Sequence, residues 1–169
     1  QDHSLTHKEW LGISGTDTRR AAAEALCAAI PVTGGCVMVY NKTFESARIK
    51  EMAEMYEDLK PHLESINSRI VDLIDPFRQF CCYYPAQHGS CSIKAVLPAL
   101  FPNDPSLDYH NLEGCVHNGG EAMDIFPKIA FMEPDEAAAT REALLRYCEL
   151  DTMTMVKVLS KLRELAGVK

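Results

Sequence analysis

The chain has 169 residues, 47% of them hydrophobic and 24% charged, which suffices for one domain with a real core and excludes a disordered chain. Its net charge of −7 excludes a protein that coats nucleic acid or a membrane surface through overall basic charge, and leaves room for an acidic pocket that holds cations. No apolar run approaches the about 20 residues of a membrane-spanning helix. Gln1–Lys8 is polar, with no hydrophobic stretch of a signal peptide behind it. The chain also lacks an initiator Met, as expected of a processed piece or a fragment. The seven cysteines are irregularly spaced and read as reduced thiols, so the expected location is cytoplasmic, with no membrane partner.

In chain order, His7-Lys8-Glu9-Trp10-Leu11 reads as a short strand. Thr16-Asp17-Thr18 offers N-caps for an alanine-rich helix to about Ile30, ended by Pro31 and Gly34-Gly35. Cys36-Val37-Met38-Val39-Tyr40, apolar and β-branched, reads as a strand buried on both faces. Helices from about Phe44 to Tyr56 and around His62–Asn67 follow, then a second buried strand at Arg69-Ile70-Val71-Asp72-Leu73. The order strand, helix, strand, helix, strand is an α/β pattern. Phe77–Ser92 is aromatic, Cys-rich and irregular, and Ser92 caps a helix over Ile93–Leu100 that tolerates Pro98 poorly. Residues 101–120 read as a long loop. Glu121–Phe131 is a helix kinked or split at Pro127, and Pro134 opens a last helix to about Leu165. Leu145, Cys148, Thr152, Met155, Leu159 and Leu162 form its core-facing stripe, with Cys148 as a small hydrophobe.

Two places carry candidate chemistry. In Tyr40-Asn41-Lys42-Thr43-Phe44-Glu45 a strand ends and a helix begins, where ligands sit in open α/β sheets. Asn41 and Glu45 are polar groups delivered to that edge, or else an ordinary helix cap and first-turn acid. Tyr147 and Asp151 lie one turn apart on the last helix, on a face bordering the apolar stripe. A carboxylate there needs a hard cation such as Mg²⁺, or a partner such as Arg141 or Arg146. Cys81, Cys82, Cys91, Cys115, His88 and His117 lack the paired spacing of a zinc site. No ordered partner set supports a Cys-His nucleophile.

Asn41-x-x-Phe44-Glu45 resembles motif II, and Tyr147-x-x-x-Asp151 motif III, of the tyrosine subclass of the DEDD (DnaQ-like) 3′–5′ exonuclease superfamily. The motif II acid is Glu here where that superfamily has Asp. The whole chain resembles a bacterial domain-of-unknown-function family with an exonuclease-like domain. That likeness rests on Tyr40–Glu45, Arg69–Leu73, Gly89–Leu100 and Leu144–Val156, of which Ser92-Ile93-Lys94-x-Val96-Leu97-Pro98 is the most distinctive. The resemblance implies a single ribonuclease-H-like domain over residues 1–169, a mixed sheet flanked by helices, and hydrolysis of nucleic-acid phosphodiester bonds by two Mg²⁺ or Mn²⁺ ions. By position it makes Asp151 a metal ligand and Glu45 a second, directly or through water, Tyr147 the residue that orients the attacking water or helps deprotonate it, and Asn41 the brace of the motif II turn. Asp72 would support the site, and Lys94 would meet a phosphate or else be a plain surface lysine. Motif I, Asp-x-Glu on the first central strand, has no counterpart before Asn41; Asp2 and Glu9 lack the spacing. The resemblance therefore implies a chain cut short at its N-terminus, without a central strand, inactive as given, and accompanied by an upstream domain. The alternative is a non-catalytic nucleic-acid-binding or protein-docking module on the same fold. A third possibility is a helical protein-interaction domain.

Overall fold

A computed structural model describes residues 5–168, so Asp2 and the rest of 1–4, with Lys169, lie outside the described residues. The architecture is mixed α/β, mostly helical, with one small parallel sheet. The first region contains α1 (Arg19–Ala29), β1 (Val37–Val39), α2 (Lys42–Met55), α3 (Lys60–Ser68) and β2 (Ile70–Asp72). The two strands pair in parallel, Val37 opposite Ile70 and Val39 opposite Asp72. A parallel pair needs a crossover, and α2 and α3 supply it. Their apolar faces close on α1 in a core of Ala23, Ile49, Ala53, Leu63 and Ile66.

The strands are shorter and barer than their composition predicts. Val39 and Asp72 are buried, Val37 and Met38 are half-buried, and Val71 is 41% exposed. Among the described residues the sheet has two strands, too few to be covered on both faces.

His7–Leu11 forms no strand. It belongs to a strap held through side chains: Arg141 donates to the carbonyls of Leu11 (3.1 Å) and Gly12 (2.6 Å). Further along, the Ser14 hydroxyl donates to Pro127 O (3.2 Å) and accepts from Ala130 N (3.3 Å). Arg141 thus satisfies the carbonyls of Leu11 and Gly12, and the exposed residues before them are open to water.

The second region contains α4 (Asp75–Arg78), a 3₁₀ turn at Pro85–Gln87 and α5 (Ile93–Leu100). The long loop follows, with 3₁₀ turns at Pro105–Leu107 and Tyr109–Asn111. Next come α6 (Gly119–Ile125), which passes into a 3₁₀ segment at Phe126–Phe131 around Pro127, and α7 (Pro134–Leu165). Its core gathers Phe77, Val96, Leu97, Leu100, Leu107, Tyr109, Val116, Leu144, Tyr147 and Val158. Pro98 is tolerated because α5 ends two residues later, where Phe101 N still reaches Leu97 O. Ser92 precedes the helix in extended conformation, but its hydroxyl pairs with that of Ser90 and does not cap.

The buried face of α7 is rotated from the expected stripe. Thr140, Ala143, Leu144, Tyr147, Thr154 and Val158 are buried, whereas Cys148 and Thr152 are exposed. Thr154 can go inside because its hydroxyl donates to the Asp151 carbonyl of its own helix (2.8 Å). All seven cysteines are free thiols. Among the described residues no helix is long and apolar enough to cross a membrane.

Candidate functional site

Asp72 organises the turn that presents Glu45. It stands at the end of β2, buried, and its carboxylate accepts from the backbone N–H groups of Asn41 (2.8 Å), Lys42 (2.8 Å) and Ile74 (3.2 Å). Two of these donors open α2, so a side chain from the neighbouring strand does what a local cap normally does. Asn41 does not cap by its side chain. It occupies the left-handed region (φ 72°), which Asn tolerates better than most residues, and its Oδ1 accepts from Arg78 (3.3 Å). Its role is to bend the backbone between β1 and α2.

Glu45 follows in the first turn of α2, where the helix dipole favours a negative charge. Its Oε2 is buried and has no hydrogen-bond partner. Burial, and then the charge of Asp72, push the Glu45 carboxyl above the usual carboxylate range. Phe44, beside it in the motif, points outward and is 61% exposed. Tyr40 leaves β1 toward the second region, its hydroxyl donating to Cys91 O (2.6 Å), and burial raises its phenol above the ordinary tyrosine value.

Asp151 stands half-buried on α7, and neither Arg141 nor Arg146 serves it. Arg141 holds the strap, and Arg146 pairs with Glu113 and Glu142. The partner is Tyr109, whose hydroxyl donates to Asp151 Oδ1 at 2.6 Å. The Tyr147 ring lies 5.9 Å from that of Tyr109, centroid to centroid. Burial, reinforced by the Asp151 charge, raises both phenols, so each stays protonated at neutral pH and acts as a donor. Tyr109 was not legible as a site residue. Its one signal is a large aromatic in the otherwise polar run Asp108-Tyr109-His110, the mark of a loop anchored by a buried ring.

Tyr109 also lines a cleft of about 820 Å³ between α5 and the long loop. Lys94 lies exposed at this cleft, its Nζ 5.5 Å above the Tyr109 ring and 3.4 Å from His117 O. The nearby carboxylates are already engaged. Asp108 accepts from His110 N and Nδ1, and Glu121 from His117 N, which holds both carboxyls below their usual range.

The two candidate carboxylates therefore have separate surroundings. The charge that acts on Glu45 is that of Asp72; Asp151 engages Tyr109 and Tyr147. As donors, both suit a hard cation: Glu45 offers an orphaned buried oxygen, and Tyr109 engages only one oxygen of Asp151. Among the described residues no three His, Cys, Asp or Glu side chains gather as a metal site would require.

The family described as "Domain of unknown function (DUF2779)" matches residues 1–92, which include both strands and the Glu45 turn. An uncharacterized protein of Mycoplasma pneumoniae is 26% identical over 129 residues, 72% of this chain and 19% of its own length. An uncharacterized protein of Mycoplasma genitalium is 26% identical over 138 residues, covering 76% of the chain and 20% of that protein. The chain thus spans about a fifth of the length of these relatives. No solved structure matches.

Proposed function

The chain belongs to this family of unknown function, and from the likeness of its Asn41–Glu45 and Tyr147–Asp151 segments to exonuclease motifs we propose that it is part of a ribonuclease-H-like, metal-dependent 3′–5′ exonuclease. Its remaining metal-binding carboxylates would come from sequence outside these 169 residues. The observation that carries the reading is Glu45, a carboxylate with a buried, unpartnered oxygen in the first turn of the helix that follows a parallel strand. Folding does not favour a bare buried oxygen, whereas a cation in contact with it would repay its lost hydration.

Glu45 and Asp151 would hold Mg²⁺ or Mn²⁺. When bound, such ions lower the pKa of water and stabilise the oxygen that leaves phosphorus. The chain's other residues set the stage. Asp72 and Asn41 fix the turn that aims Glu45, and Tyr109 orients Asp151. Tyr147, kept protonated, would donate a hydrogen bond to the attacking water or to a phosphate oxygen rather than remove a proton.

One observation favours a non-catalytic nucleic-acid-binding module instead: the described residues gather no three-donor cluster. The test is degradation of 3′-labelled single-stranded DNA and RNA with Mn²⁺ or Mg²⁺, by this chain, by a form extended upstream, and by extended Asp151→Asn. Cutting by the extended wild type alone is the expected result. Binding by the extended protein with no cutting at any metal concentration transfers the reading to the module.

A further inference from the structure

Beside the Glu45 turn the surface carries exposed aromatic rings next to several cations. Phe80 is 71% exposed and Tyr83 is 44% exposed, their ring centroids 5.9 Å apart. Phe80 holds a positive φ of 54°, a conformation a bulky side chain rarely adopts. Cys82 N closes back on Pro76 O, so the segment bearing both rings is tied to α4. Arg78, two residues before Phe80, reaches Asn41 Oδ1 and so joins this segment to the turn. On the other side of Asn41, exposed Phe44 carries the Arg48 guanidinium 5.8 Å from its ring centroid. Arg48 is paired with Glu51, but among the described residues neither Arg78 nor Lys42 has a carboxylate within ion-pair distance.

We propose that Phe44, Arg78, Phe80 and Tyr83, with Lys42, form a binding surface for single-stranded nucleic acid. Bases stack on the exposed rings while Arg78 and Lys42 meet phosphates. Rings interleaved with cations suit a single strand, whose bases are free to stack; a duplex hides those faces. An acidic peptide would use the cations and leave the rings unused. The surface deepens the exonuclease reading by naming where the strand lies on its way to Glu45, but its existence does not depend on cutting.

The test is fluorescence anisotropy with labelled dT₂₀ and rU₂₀ in EDTA, on the 169-residue chain. Wild type is compared with Phe80→Ser/Tyr83→Ser and with Arg78→Gln, each checked by circular dichroism and melting for an intact fold. The expected result is binding by wild type, weakened about fivefold or more in the aromatic variant. Arg78→Gln should also flatten the dependence on salt by about one phosphate contact. Wild-type affinity in both folded variants overturns the proposal, as does failure of wild type to bind either oligonucleotide while it captures poly-glutamate. If binding behaves as expected but the extended protein never cuts with Mn²⁺, the exonuclease reading alone fails. If cutting occurs and both variants bind and cut as wild type, this surface alone fails.

Discussion

Glu45 and Asp151 are both half-buried carboxylates, one in the first helical turn after a parallel strand and the other in the middle of the longest helix, yet the fold treats them in opposite ways. Around Glu45 the polar work is done by a neighbour: Asp72 takes three backbone N–H groups, and Glu45 is left with an orphaned oxygen and a raised pKa. Around Asp151 the long loop folds back to deliver Tyr109, which satisfies the carboxylate directly. One carboxylate thus keeps an oxygen without a partner, while the other is secured by a neutral donor.

The comparison is broken most severely at Asp72. Asp72→Ala leaves three backbone donors without their acceptor in a buried turn, and the expected loss is about 3 kcal/mol or more in urea unfolding. Asp72→Asn keeps one acceptor oxygen and should recover part of it. A folded Asp72→Ala protein with an unchanged midpoint would mean that the turn holds itself.

Tyr109→Phe comes next. It keeps the ring but removes the donor to Asp151, giving the second carboxylate the unmet oxygen of the first. The expected cost is about 2 kcal/mol, the usual range for a hydrogen bond to a charged group. Circular dichroism should show unchanged helix content, and an undiminished melting temperature would argue that Asp151 finds another partner.

Glu45→Gln has the smallest effect and the opposite sign. The folded-state pKa of Glu45 is raised, so folding favours its protonated form, and the charged form costs stability as pH rises through that pKa. In EDTA at pH 7 the neutral glutamine should therefore stabilise, by less than about 1 kcal/mol because the side chain is partly solvated. The gain should shrink as pH falls below the carboxyl's pKa, where the wild-type side chain is already neutral. Melting curves at several pH values check this, and a destabilised variant at neutral pH would show that the Glu45 charge is compensated within the fold.

Much of the first region was legible in the sequence, because its signals are local. Alanine runs, β-branched strands and Pro or Gly stops place α1, β1, α2, α3 and β2 within a few residues of their positions. What misled was burial. Val71 looks like a core residue and is exposed, since only a larger sheet would cover it. The rotated face of α7 has a related cause: Thr154 is polar by type, but its own helix satisfies it, and hydropathy spacing does not register that bond. Asn41, Glu45, Tyr147 and Asp151 were legible as a pattern. Asp72 was legible only as a support beside the site; its hold on three N–H groups and Tyr109 as partner were not, because each acts through a contact 30 or more residues away in sequence.

Divalent-metal binding tests the central claim most directly. Mn²⁺ would be titrated into the upstream-extended protein and followed by water-proton relaxation, beside Glu45→Gln and Asp151→Asn of the same length. Each substitution should weaken binding about tenfold or more, with the fold intact. Two folded variants that bind Mn²⁺ as tightly as the wild type would contradict the claim.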